Sequence, residues 1–81
     1  YLNLGKAYWA KGIPDRAVEY FHSALNLNLF MEEAHYNLGL IYMEKNMLRE
    51  AQREFELALM INPEHAEAGK FLKYLLNSSS H

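Results

Sequence analysis

The chain has no cysteine, which excludes a disulfide framework, a thiolate zinc site and a cysteine nucleophile, and leaves its compartment unspecified. Its four glycines lie apart, so no glycine-rich loop is available to cradle a phosphate. Charge of one sign is missing too. Eight Lys and Arg residues stand against ten Asp and Glu, and the basic residues are scattered, so no electrostatic surface for nucleic acid is expected. The longest apolar run is "LALMI" at 57–61, far short of the roughly 20 residues a spanning helix needs, so no membrane insertion is expected. The cytoplasm is the default expectation. A first residue of Tyr1 and the lack of a signal-peptide pattern read as a piece excised from a longer protein.

What is present favours folding. Hydrophobic residues make up 51% of the 81 and aromatics 14%, against 22% charged, enough for one small domain and too apolar for general disorder. Compared with itself at an offset of 34, the chain repeats. Asn3, Leu4, Gly5, Tyr8, Lys11, Ala17, Phe21, Ala24, Leu25 and Asn28 recur as Asn37, Leu38, Gly39, Tyr42, Lys45, Ala51, Phe55, Ala58, Leu59 and Asn62. Ordinary residue usage would give roughly two such identities rather than these ten. Glu33, Ala34 and Leu38 return once more as Glu67, Ala68 and Leu72, a third and partial copy.

Within each copy the apolar spacing is helical, as in Ala17, Phe21, Ala24 and Leu25 at i, i+4, i+7 and i+8. Gly12 and Asn46 are suited to the left-handed residue that ends many helices, and Pro14 suits a helix start. The pattern predicts an all-α fold of five helices, at about 1–11, 14–27, 32–45, 48–61 and 64–76. As units, the first repeat covers 1–31, the second 32–65 and a C-terminal capping helix 66–76, together one domain over 1–76, with 77–81 a flexible tail. A helix-interior glycine costs about 1 kcal/mol relative to alanine, so Gly5 and Gly39 call for a close neighbour. The expectation is that small meets small, with Ala17 and Ala24 against Gly5, Ala51 and Ala58 against Gly39, and Leu4, Tyr8 and Phe21 interlocking around the contact.

These residues resemble the tetratricopeptide repeat, whose pattern is Trp-x2-Leu-Gly-x2-Tyr, then Ala-x3-Phe-x2-Ala, then Pro. The second copy carries Leu38, Gly39, Tyr42, Ala51, Phe55, Ala58 and Pro63 in register, and the first carries all but the last. The leading tryptophan is replaced by Tyr1 and His35, and the first copy's proline by Leu29. Leu29, Phe30 and Met31 either pack into the turn or let the helices around 14–45 run on into one another, which would permit exchange between chains. In the third copy Lys73 takes the glycine position and would hold off a further helix, so the last helix is expected to shield the second repeat's core, with Leu75 and Leu76 left exposed at the end.

No chemistry-bearing constellation stands out. His22, His35, His65 and His81 lack metal-site spacing, and His35 is expected to be a half-buried packing residue. Glu32, Glu33, Glu64 and Glu67 fall where helices start, which the helix dipole favours without catalysis. Ser23 has no base at a telling spacing. Neither enzymatic activity nor a cofactor is expected.

What the resemblance implies is a surface. In this family the first helix of each pair lines a concave groove, and the matching positions are Leu2, Asn3, Lys6 and Trp9; Glu33, Tyr36, Asn37, Leu40 and Met43; and Glu67, Lys70, Phe71 and Tyr74. Aromatic and Met enrichment is typical of binding hot spots, although the same residues could serve to cover neighbouring helices. Relatives that hold acidic chaperone tails carry Lys, Asn, Asn, Lys and Arg at the places that here read Leu2, Lys6, Asn37, Glu67 and Phe71. Only Asn37 matches, so an apolar or amphipathic segment is the expected ligand. The alternative is a structural element that forms a homodimer or exchanges helices through uncapped repeat ends.

Overall fold

Two residues with positive φ set the hairpins. Gly12 (φ 78°) and Asn46 (φ 61°) each follow a first helix and turn the chain into the second. In both turns the backbone bonds match. Ile13 N–H donates to the Tyr8 carbonyl and Gly12 N–H to Trp9, as Met47 N–H does to Tyr42 and Asn46 N–H to Met43. This is the Schellman arrangement, which satisfies carbonyls that a helix end would leave unmet.

In the computed structural model, which describes residues 1–78, five helices result: α1 (Leu2–Ala10), α2 (Pro14–Leu27), α3 (Glu32–Glu44), α4 (Leu48–Ile61) and α5 (Ala66–Ser78). No strand occurs among the described residues. The helix α5 starts later than expected because His65 stands before it, its Nδ1 accepting the Ala68 N–H at 3.1 Å. It also takes in Asn77 and Ser78, which sequence assigned to the tail; residues 79–81 lie outside the described residues.

Each hydrophobic cluster is closed by three helices. Ala17, Phe21 and Leu25 of α2 meet Ala34, Leu38 and Ile41 of α3, with Leu2, Tyr8 and Trp9 of α1 against them. Ala51, Phe55 and Ala58 of α4 meet Ala68 and Leu75 of α5, with Tyr36, Leu40 and Met43 of α3 alongside. The helix α3 therefore belongs to both. Leu75 is buried here, against the sequence expectation, because it lies on the α5 face that covers Phe55; only Leu76 is exposed.

The glycine contact differs from expectation in its partner. A Cβ on Gly5 would stand 2.7 Å from Phe21 Cε1, and one on Gly39 would stand 2.6 Å from Phe55 Cε1. The bare backbone seats a phenyl ring rather than an alanine, since both rings are fully buried and fill the space between the paired helices. Leu4 is exposed, unlike its counterpart Leu38. The latter packs on α2, whereas no helix lies on that side of α1 among the described residues.

The missing proline at Leu29 has a substitute. Asn28 and Asn62 both leave their helices in an extended conformation, and each side-chain carbonyl accepts an N–H two residues on, Phe30 at 3.0 Å and Glu64 at 3.1 Å. This Asx turn ends α2 without a ring constraint, so α2 and α3 do not run on. Nor do Leu29 and Phe30 pack into the turn; both project, and only Met31 is partly buried.

The leading tryptophan of the repeat pattern is replaced in two ways. In the first repeat Tyr1 lies over Tyr20 with ring centroids 6.2 Å apart, and Tyr20 stacks on Tyr8 at 5.3 Å. At the offset of 34 the pair becomes His35 and Glu54, 2.8 Å apart. His35 is buried rather than half-buried, and its Nε2 lies 3.1 Å from the Leu29 carbonyl. Each ring nitrogen thus meets an oxygen, one from a side chain and one from the backbone, which meets the ring's hydrogen-bonding needs inside the core.

Gly39→Ala is expected to destabilise the chain by about 1–3 kcal/mol, because Phe55 cannot retreat from a filled core; urea unfolding that left the midpoint unmoved would contradict the ring-seating account. At Gly12, with nothing within 4 Å of an added Cβ, the cost of Gly12→Ala is backbone strain alone, about 1 kcal/mol, read as a lower Tm.

Candidate functional site

The helices α1, α3 and α5 lie side by side and present one continuous face. Both ends of α3 are tied to α1: Lys6 Nζ donates to Glu33 at 2.8 Å, and Trp9 Nε1–H donates to Glu44 at 3.1 Å. The first is half-exposed on both sides and is screened, so it serves alignment more than stability. Asp15 of α2 pairs with Lys45, just past α3, which holds the hairpins at the turn end.

Three hollows follow one another across this face. Lys6, Trp9, Ala10 and Asn37 line one of about 260 Å³ between α1 and α3. Glu32, Glu33, Tyr36, Asn37, His65 and Glu67 line a second of about 440 Å³. Met43, Lys70, Phe71 and Tyr74 line a third of about 220 Å³ between α3 and α5. Asn37 borders the first two. Its side chain is buried, and its Nδ2 has no hydrogen-bond partner among the described residues.

The middle hollow is partly acidic and partly aromatic. Tyr36 sits at the centre of a ring cluster, 4.7 Å from His65, 5.9 Å from Phe55 and 6.3 Å from Phe71. Burial, and then the Glu67 carboxylate, push its phenol above the ordinary value, so the hydroxyl stays protonated at neutral pH and can donate. Of the carboxylates, Glu32 accepts from Asn62 Nδ2 at 2.9 Å and Glu33 from Lys6.

Sequence-predicted residues therefore meet in three groups: Lys6, Trp9 and Asn37; Glu33, Tyr36, Asn37 and Glu67; Met43, Lys70, Phe71 and Tyr74. Leu2 and Leu40 are half-buried and pack into the first and second hydrophobic clusters, and Asn3 is exposed. Phe71 both lines a hollow and stacks on buried Phe55 at 5.7 Å, so covering a neighbour and facing outward coincide in one ring. His65 and Glu32 were not foreseen at this face. Their signal in sequence was only position, at the start of a helix that opens onto it.

Family models described as tetratricopeptide repeat match residues 1–29 and 32–65. The chain belongs to the tetratricopeptide repeat family. The two matched segments coincide with the α1–α2 and α3–α4 hairpins. No curated protein matches the chain. Tetratricopeptide repeats are generally protein–protein interaction modules and typically non-catalytic, so protein partners follow from membership. No helix among the described residues is long and apolar enough to cross a membrane, and no His, Asp and Glu group there could hold a metal ion.

Phe71→Ala is expected to cost about 2–4 kcal/mol, because it uncovers Phe55, whereas Tyr74→Ala at the exposed rim should change stability by no more than about 0.5 kcal/mol. Denaturant midpoints of the two variants check this, and equal effects would contradict the division between core and rim.

Proposed function

We propose that the α1–α3–α5 face is a groove that takes an apolar or amphipathic segment of a partner protein, with Asn37 bonding that segment's backbone. The observation that carries this is the unmet Nδ2 of Asn37. A buried donor without a partner costs about 1–3 kcal/mol, and the residue that carries it borders two hollows, so a small turn of its side chain would bring the amide to a ligand there. A peptide carbonyl is the matching acceptor. Trp9 on one side and Met43, Phe71 and Tyr74 on the other supply apolar and aromatic surface along the same line.

Charge argues against an acidic tail. Glu32, Glu33 and Glu67 line the middle hollow, and Lys6 is already engaged by Glu33. A carboxylate-rich ligand would meet like charge where it needed cations. Lys70 lies beside the third hollow among Met43, Phe71 and Tyr74, where its stem adds apolar cover.

The test separates binding from stability. Asn37→Leu keeps roughly the side-chain volume and removes the unmet amide, so stability should hold within about 1 kcal/mol. Binding of peptides selected from a displayed library on the unaltered chain should weaken about tenfold or more, the loss of one buried hydrogen bond to the ligand. Full affinity in Asn37→Leu would remove Asn37 from the binding role. Selected peptides whose binding is also indifferent to Trp9→Ala and Tyr74→Ala would overturn the groove.

A further inference from the structure

Away from the α1–α3–α5 face, the α2–α3 turn and the end of α4 form a second apolar surface that the groove does not use. Leu29, Phe30 and Met60 are 67%, 77% and 78% exposed. With His35, Leu57 and Ile61 they surround a hollow of about 510 Å³. Apolar side chains scattered singly over a surface need no explanation, but several large ones around one recess mark an interaction site.

The turn is held in place rather than loose. Asn28 fixes the Phe30 N–H, and His35, itself paired with Glu54, meets the Leu29 carbonyl. The backbone that carries the projecting ring is thereby preset, which lowers the entropy lost on association. No strain or proline demands an exposed phenylalanine here; Pro63 and Glu64 hold the equivalent places after α4.

We infer that this surface pairs with the same surface of a second copy of the chain about a two-fold axis, each Phe30 entering the hollow of the other. Knob and recess lie on one patch, which is the condition for a self-complementary contact. Covering Leu29, Phe30 and Met60 with the half-buried Leu57 and Ile61 in both copies removes on the order of 1,000 Å² from water, the lower bound for a specific interface. Charge does not oppose it. Arg53 and Glu56, one turn before Leu57 and Met60 on α4, are of opposite sign, and the chain's net charge is only −2. The site is distinct from the exposed Leu4 side of α1, which offers a different route to association.

Sedimentation equilibrium of the 81-residue chain in a series reaching about 1 mM, the weak limit of a measurable dimer, should show the apparent mass rising toward twice the monomer. Phe30→Asp with Met60→Asp should raise the dissociation constant about tenfold or more, with an unchanged helical circular dichroism spectrum; Leu4→Glu should leave it unaltered. The four methionines give a readout on the unaltered chain. In methyl spectra the Met60 signal should shift with concentration while those of Met43, in the groove, and Met47, at the α3–α4 turn, stay fixed. A chain monomeric throughout would overturn the pairing and leave the patch to a partner of another kind. So would a dimer that Leu4→Glu weakens and the double variant does not, or concentration shifts at Met43 or Met47 without Met60.

Discussion

A phenyl ring resting on bare backbone is the contact on which the architecture depends. Phe21 over Gly5 and Phe55 over Gly39 set how closely the two helices of each hairpin approach, and the alanines at 17, 24, 51 and 58 keep the second helix slim beside the ring. Once that spacing is fixed, the remaining buried positions have definite neighbours. Leu38 and Ile41 reach α2, and Leu75 and Ala68 reach α4. Glycine is a poor helix former, so its presence in α1 and α3 is a local cost accepted for a tertiary contact. Phe21 and Phe55 are among the largest fully buried side chains, so each anchors the core of its hairpin.

The same spacing aligns α1, α3 and α5 as neighbours. Lys6 with Glu33 and Trp9 with Glu44 bridge the first two, and the Tyr36, Phe55 and Phe71 rings join the last two. What faces outward between these bridges is thus set by the core. Asn37 and Gly39 are two residues apart on α3, and their sides differ accordingly: one meets the Phe55 ring, the other borders the hollows.

Much of this was legible in the sequence, and the gaps have physical reasons. Helix ends followed from Gly12, Asn46 and Pro14, because left-handed and N-terminal positions are properties of single residues. Helix faces followed from apolar spacing. Periodicity names a face and not the atom opposite, so the glycine partner was read as alanine when it is phenylalanine. Leu29 hid the stop that Asn28 provides, since an Asx turn depends on a side chain's direction rather than on backbone chemistry. The exchange of Tyr1 and Tyr20 for His35 and Glu54 is visible at the offset of 34 only once the structure shows that these positions touch. At the candidate site, membership of α1, α3 and α5 placed the residues. Which of them meet in one hollow depended on side-chain packing, as Phe71 on Phe55 illustrates.

Because α3 completes both hydrophobic clusters, the two hairpins are not separable modules. Loosening this one rod opens each cluster along an entire side, so local disorder there and loss of the whole fold are nearly the same event. Anything that grips its outward residues and spares the melted chain would tighten the molecule from end to end, by an amount set by occupancy and affinity alone. A domain this small would then report engagement at one surface as resistance to heat or protease everywhere.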